Sequence, residues 1–238
     1  MRKVEYQDLG QIAYQKAWDY QQSLLKEVVD TKVANRRLVK ENQPVGTIPK
    51  NYLLFCEHPP VYTLGKSGSM EHLLLNTQEL DKRGIQFHKI NRGGDITFHG
   101  LGQVVGYPIF DLDQFFTDVH KYVRFLEEVI IRTLSDFDIT GTRIEGFTGV
   151  WLKGKEGMPN RKICAIGVHL SRWVTMHGFA FNVNTDLNFF NFIIPCGIND
   201  ANKTVTSLAK ELGTPVDIQY VKRQIKFHFS SLFDFTYE

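Results

Sequence analysis

The stretch Arg161–Val183 reads RKICAIGVHLSRWVTMHGFAFNV and decides the class of fold. Its apolar residues fall into two short runs, Ile163–Leu170 and Trp173–Val183. Both runs have the length and composition of strands, and only a brief polar break separates them. They read as antiparallel neighbours. Working outward, Thr148–Leu152 is a third strand, joined to the first by the polar loop Lys153–Arg161, KGKEGMPNR. That loop is too short for a domain boundary. Asp118–Phe137 carries an amphipathic helical pattern. Val104–Ile109, Ile96–His99 and Phe87–Ile90 read as further strands, and Thr77–Arg83 as a short helix closed by Gly84. Tyr52–Cys56 and Val61–Leu64 are strands on either side of the turn His58-Pro59-Pro60. Gln11–Leu38 reads as a helix, with Ile12, Ala13, Ala17, Tyr20, Leu24, Leu25 and Val28 at helical spacing. Val216–Phe233 reads as the closing helix. Helices at both ends with many strands between do not alternate strictly as βαβ. The expected fold is therefore α+β, with mixed or antiparallel sheets and flanking helices, in a single domain over residues 1–238.

Bulk properties exclude several classes. The 238 residues are 42% hydrophobic and 23% charged, with a formal net charge of +2. Nothing global points to nucleic acid, and no apolar run approaches the roughly 20 residues that span a bilayer. The three cysteines, Cys56, Cys164 and Cys196, form no CxxC pair, so a structural metal knuckle is not expected. A sparse, odd set of thiols and an N-terminus without an apolar leader core fit the cytoplasm. No metal or cofactor is expected.

Two segments carry chemistry. Arg92–Gly106, RGGDITFHGLGQVVG, holds five glycines, at 93, 94, 100, 102 and 106. Glycines allow positive φ and close backbone approach to a ligand, and clustered N–H groups can converge on one oxygen. The segment lacks the GKS or GKT of a phosphate-cradling loop. Glycines alone fit a plain hairpin as well as a binding loop; Arg92 and His99 flank it as candidate substrate contacts, although a lone histidine is more often structural. In the second segment, Cys196 sits between Pro195 and Gly197 at a strand end. A lone cysteine is more often a small buried hydrophobe than a nucleophile, and that blander reading suits Cys56 and Cys164. Lys162 opens a strand; partial burial would lower the pKa of such a lysine toward neutrality. His177 and Gly178 bring further polar and permissive atoms to the same region.

Taken together, these pieces resemble the lipoyl(octanoyl) transferases. The resemblance rests on Glu57–Gly65 (EHPPVYTLG), Arg92-Gly93-Gly94 with Thr97–Gly100, Gly102-Gln103, Lys162 and Ala165-Ile166-Gly167. It extends through Trp173–Gly178, Asn182-Val183-Asn184 and Ile194–Ile198. The matches run in the family's order over nearly the whole chain. Leu101 stands where the family usually has proline, Cys164 is less usual there, and the loop before Lys162 is longer than in compact members.

The resemblance implies a fold like the catalytic domain of biotin protein ligases and lipoate ligases. It implies transfer of octanoyl from octanoyl-acyl carrier protein to a lysine of lipoyl domains or of the glycine cleavage H protein, the first step of endogenous lipoate biosynthesis. It implies Cys196 as nucleophile, holding the acyl group as a thioester, and Lys162 as the residue that lowers its pKa. It further implies substrate binding by Arg92, Gly93, Gly94, Asp95, Ile96, Thr97, Phe98 and His99, by Ala165, Ile166 and Gly167, and by Gly178, Phe179 and Ala180. His99 and His177 are candidates for orienting substrate or supporting an oxyanion. Backbone N–H groups near Gly93-Gly94 or Ala165–Gly167 are the other candidates. The resemblance also implies a monomer, which the sequence itself does not give. Acyl carrier proteins are acidic, so a basic rim is expected, drawn from Arg36, Arg37, Lys40, Lys153, Lys155 and Arg161. An ATP-dependent ligase, an acyl-thioester hydrolase and a non-catalytic acyl-binding protein are the rival readings.

Overall fold

The computed structural model describes residues 2–155, 157–194 and 202–238. The elements in chain order are β1 (Arg2–Gln11), α1 (Tyr14–Lys40), β2 (Tyr52–Glu57), β3 (Val61–Leu64), α2 (Thr77–Lys82), β4 (Gln86–Lys89), β5 (Ile96–His99) and β6 (Gln103–Ile109). There follow α3 (Val119–Ser135), β7 (Thr142–Ile144), β8 (Phe147–Leu152), β9 (Asn160–Ser171), β10 (Val174–Asn182), β11 (Lys203–Val205), α4 (Leu208–Leu212), α5 (Ile218–Phe233) and β12 (Phe235–Tyr237). The fold is α+β, with mixed sheets and flanking helices.

Among the described residues the larger sheet runs β12-β1-β2-β6-β10-β9-β8-β7, with β11 added in parallel beside β9. Its centre is antiparallel, and β1 pairs in parallel with both β2 and β12. A smaller sheet, β4-β3-β5, stands apart. The strands flanking His58-Pro59-Pro60 therefore belong to different sheets. Likewise the glycine segment is no hairpin: it carries the chain from β5 in the small sheet to β6 in the large one.

The antiparallel pairing of β9 and β10 closes through Arg172 and Trp173, at φ 51° and 66°. Two consecutive positive φ values make the tight turn that matches strand twist. Neither residue favours that conformation by itself. The turn is held from outside: Lys32 Nζ donates to Arg172 O at 2.9 Å and the Leu112 N–H to Trp173 O at 2.8 Å.

Helices do not form the chain's ends as expected. β1 precedes α1 and β12 follows α5. β1 is a polar strand in which only Val4 is fully buried, so it carries almost no hydrophobic alternation to read. Its stability comes from backbone pairing on both edges.

The large sheet separates two apolar layers. One face packs on α3 and α5 through Leu126, Val129, Ile130, Phe179, Phe181, Ile225 and Phe229. The other packs on α1 through Ala17, Leu24, Val28, Val105, Tyr107 and Ala180. The small sheet has its own core around Tyr62, Leu64, Ile96, Phe98 and Phe190. The functional site forms where the α1 face meets the small sheet.

Candidate active site

A cavity of about 310 Å³ opens between the two sheets. Its wall includes Arg92, Gly93, Gly94, Asp95, Ile96, Thr97, His99, Lys162, Ala165, Ile166, Gly167, His177, Gly178, Phe179 and Ala180. Residues separated by nearly ninety positions in the chain thus converge on one space.

The floor is built from small residues. In the β9–β10 ladder Gly178 pairs with Gly167 and Ala180 with Ala165, leaving a shallow bed two strands wide. Phe179 and Ile166 alternate to the opposite face, where their side chains join the α3–α5 core. They contribute backbone to the cavity. Glycine is required by contact at two points. A Cβ on Gly178 would lie 2.2 Å from Gly106 O, and one on Gly167 would lie 2.8 Å from Gly93 O.

The Arg92–Asp95 turn forms the roof. The Gly93 N–H donates to Val168 O at 3.0 Å, which ties the turn to β9. Arg92 is buried, and its guanidinium donates to the carbonyl and hydroxyl of Thr63 at 2.7 and 3.0 Å. Asp95 accepts from its neighbour's N–H, Ile96, at 2.7 Å and from His72 Nδ1 at 2.5 Å.

Phe98 does not reach the cavity. Strand alternation turns it into the small-sheet core, stacked on Phe189 with ring centroids 4.6 Å apart. Its neighbours Thr97 and His99 do line the cavity. Cys196 lies outside the described residues.

Lys162 lies on β9 beside the floor, with Nζ 4.6 Å from the centre of the Trp151 ring. Gly149, at φ 119°, adjoins that side chain: an added Cβ would be in ordinary contact with Lys162 Cε at 3.7 Å but would clash with Cys164 O at 2.5 Å. Behind it, the fully buried Glu127 accepts from the Gly149 N–H at 3.0 Å and pairs with Arg124 and Arg143 at 2.6 and 3.0 Å.

The histidines are neutral and committed. Burial, with smaller contributions from Arg92 and His169, pushes His177 down to about 3. Its Nε2 bonds Asn91 Oδ1 at 2.8 Å, so the ring's proton is there. His177 holds a positive φ of 59°, with its N–H donated to Gln21 Oε1 at 3.1 Å. Burial holds His99 well below the usual histidine range, with nearby His58 acting the same way. Its Nδ1 lies 2.8 Å from Gln103 Oε1 and its Nε2 3.3 Å from the Thr63 hydroxyl. Neither ring keeps an uncommitted N–H to offer an oxyanion in this arrangement. Each ring holds the side chain it bonds, Asn91 for His177 and Gln103 for His99.

The cavity also draws on residues that local sequence does not flag. Tyr14, at the start of α1, stacks on His99 with ring centroids 5.8 Å apart and 14° between planes. Tyr107 gives its hydroxyl proton to His58 Nε2 at 2.7 Å. Gln103, Val105 and Asn182 also line the wall. The spacing of Gln103, Val105 and Tyr107 on one strand face is the signal that could have found three of them together.

Cys56 and Cys164 are fully buried, and burial pushes both thiols well above the usual range. Neither is a thiolate at neutral pH. Part of the expected basic rim is elsewhere. Arg36 lies about six helical turns beyond Tyr14, roughly 33 Å along α1. It pairs with Asp113 at 3.7 Å, while Arg37 pairs with Glu41 at 2.8 Å. Arg161, close to Lys162, is held by Glu211 at 2.8 Å. Among the described residues there is no group of three His, Cys, Asp or Glu side chains placed to hold a metal ion. No helix there is long and apolar enough to cross a membrane.

Residues 13–230 match the family described as the lipoyl protein ligase A/B catalytic domain. The octanoyltransferase of Flavobacterium psychrophilum is 56% identical over 237 residues, covering 99% of this chain and 98% of the relative. That of Cytophaga hutchinsonii is 54% identical over 233 residues, covering 98% and 93%. Among solved structures, the bipartite lipoate protein ligase of Thermoplasma acidophilum superposes with a TM-score of 0.66 at 16% identity, covering 100% of this chain and 85% of the other. At that identity the likeness speaks for the fold alone. The identities over nearly the full length speak for more: the chain belongs to the lipoyl protein ligase A/B catalytic domain family, as one of its octanoyltransferases, and is an acyltransferase.

Proposed function

We propose that this enzyme takes octanoyl from octanoyl-acyl carrier protein onto Cys196 as a thioester. It then passes the acyl group to a lysine of a lipoyl domain or of the glycine cleavage H protein, in the cytoplasm and as a single-domain monomer. The observation that carries the reading is that Lys162 lines the same cavity as the Arg92–His99 segment and the Ala165–Gly178 floor. A cation there, on the strand that forms the floor, suits chemistry at the carbonyl end of an acyl chain lying on it.

The steps follow from elementary acid–base chemistry. A free cysteine titrates near about 8.5 and a lysine near about 10.4, so a thiolate needs a nearby cation to dominate at neutral pH. Lys162 supplies that charge. The Cys196 thiolate attacks the octanoyl thioester, and a tetrahedral oxyanion forms. Backbone N–H groups near Gly94 or Ala165–Gly167 stabilise it, since the Gly93 N–H is already donated to Val168 O. The carbon–sulfur bond to the carrier breaks, and the departing thiolate takes a proton from the Lys162 ammonium. Neutral Lys162 then takes a proton from the incoming lysine ammonium. The freed amine attacks the Cys196 thioester, the amide forms, and Cys196 leaves as thiolate. The amine's second proton goes to solvent, and the ion pair is restored. Kinetics are ping-pong.

The acyl tail lies on the floor. Burying six methylenes at about 0.8 kcal/mol each contributes roughly 5 kcal/mol. Lys153, Lys155 and Arg161 remain the candidates for steering an acidic carrier, since Arg36 and Arg37 are far from the cavity. Initial rates with each substrate varied test the scheme. Parallel double-reciprocal lines are expected, with no dependence on ATP; converging lines or an ATP requirement would replace the transferase reading with a ligase.

A further inference from the structure

His72 lies outside the chemistry above, yet it bonds both the roof turn of the cavity and the segment that precedes Cys196 in sequence. Its ring Nδ1 is 2.5 Å from Asp95 Oδ2, in the turn that roofs the cavity. Its main-chain carbonyl accepts the Ile194 N–H at 2.8 Å. Leu73 forms an isolated antiparallel bridge with Ile193, and the Leu74 N–H donates to Phe192 O at 2.9 Å. Residues 72–74 are thus strapped to 192–194, the segment that leads in sequence to Cys196 two residues later.

Asp95 is well fixed on its own side. It is buried, its second oxygen takes the Ile96 N–H, and its carbonyl accepts the Gly65 N–H at 3.3 Å. Gly68 closes over it: a Cβ there would lie 2.5 Å from Asp95 Oδ1. The His72 side chain is about one-third exposed. Its ring can therefore be replaced without opening a core cavity. Leu73, Leu75, Phe190 and Ile193, in the same small-sheet cluster, carry the packing.

We propose that His72 is a positioning residue for acyl transfer. Through its ring and its carbonyl it fixes the distance between the Asp95 turn, where the acyl group is received, and the Phe192–Ile194 segment ahead of Cys196. This rests on the reading of Cys196 as nucleophile. The physical reason for its use is reach. The roof turn and the 192–194 segment come from different parts of the chain, and placement errors of an ångström are expensive in a bimolecular reaction held by an enzyme.

The test compares wild type with His72→Ala, His72→Asn and His72→Gln. Asparagine can place an N–H close to the Nδ1 position; glutamine places its amide further out, near Nε2. Octanoyl transfer to an acceptor domain is measured under saturating substrates, together with KM and melting temperature. We expect His72→Ala and His72→Gln to lower kcat about ten- to a hundredfold, with KM within about twofold and His72→Asn recovering most of the loss. Asp95→Asn combined with His72→Ala should be no slower than the slower single variant. Wild-type kcat in His72→Ala, or equal loss in His72→Asn and His72→Ala, would overturn the proposal. Intact-mass readings of the same samples keep the two claims separate. Transfer without any enzyme-bound acyl group in wild type refutes the Cys196 thioester, while the ranking of the His72 variants still decides the positioning role.

Discussion

The side-chain oxygen of Gln103 lies 2.8 Å from His99 Nδ1, and the amide on the same side chain is committed to Phe98 O at 3.1 Å and Asn182 Oδ1 at 2.9 Å. Two acceptors fix which end of Gln103 carries the hydrogens, so the end facing His99 must accept. His99 is therefore the Nδ1–H tautomer, and the Thr63 hydroxyl gives its proton to Nε2. Nitrogen-15 spectra of the imidazoles should show His99 with a protonated Nδ1 and an unprotonated Nε2 from pH 8 down to pH 6. Gln103→Leu leaves three buried polar groups unpaired and should lower stability by at least about 2 kcal/mol in chemical denaturation. An Nε2–H tautomer in wild type would contradict the network.

Acid should destabilise the protein early. Burial, the largest cause in each case, puts His58 at about 4 and His177 at about 3, and holds His99 low as well. Unfolded histidines titrate near about 6.5. Between those values the unfolded chain binds protons that the folded chain refuses, so stability is full above about 6.5 and falls as pH drops below it. Each group contributes up to about 1.4 kcal/mol per pH unit. Melting temperature should be flat from pH 8 to 7 and drop steeply from pH 6 to 5, and His58→Gln should soften that drop. A flat profile down to pH 5 would mean that these rings are not buried neutral.

The small-residue floor should set chain length. Ala165 and Ala180 face each other in the ladder beneath the cavity. Ala165→Leu or Ala180→Val fills volume that an acyl tail would use. Preference should move to shorter acyl groups, with kcat/KM for octanoyl falling about fourfold for each methylene displaced. Hexanoyl-carrier should be less affected. Equal loss for hexanoyl and octanoyl donors would show that the tail lies elsewhere.

Gly149→Ala should harm both stability and activity. The residue has φ 119°, and a Cβ would meet Cys164 O at 2.5 Å. Strain of this kind costs about 1–3 kcal/mol. The same change shifts the backbone beside Lys162 Cε, so transfer should fall further than the folded fraction does. Activity per folded molecule equal to wild type would separate the Gly149 turn from Lys162.

Much of this was legible in the sequence, for physical reasons that differ by element. β9 and β10 carry dense apolar runs, and α3 and α5 carry clear helical spacing. Asp118 and Asp217 cap those two helices through their side chains, which is why their starts fall within two residues of expectation. β1 was not legible, because it is polar and exists through pairing. The double-positive-φ turn at Arg172-Trp173 lacks glycine and asparagine and is held by Lys32 and Leu112. In the candidate site, local pattern and resemblance single out the glycine segment and Lys162, and both line the cavity. Phe98 packs away from the cavity, which sequence does not show, because it gives the alternation of a strand but not which face looks into a cavity. Tyr14 reaches the cavity only through tertiary packing, from a helix start that carries no local sign of it.

The central claim is a covalent octanoyl group on Cys196 that is passed to a protein lysine. The most direct measurement is intact-protein mass spectrometry of wild type and Cys196→Ala mixed with octanoyl-acyl carrier protein, before and after a lipoyl domain is added. The account predicts one octanoyl adduct on wild type alone, discharged as the lipoyl domain gains the same mass. Octanoylation of the lipoyl domain by Cys196→Ala at the wild-type rate, with no adduct on either enzyme, would contradict it.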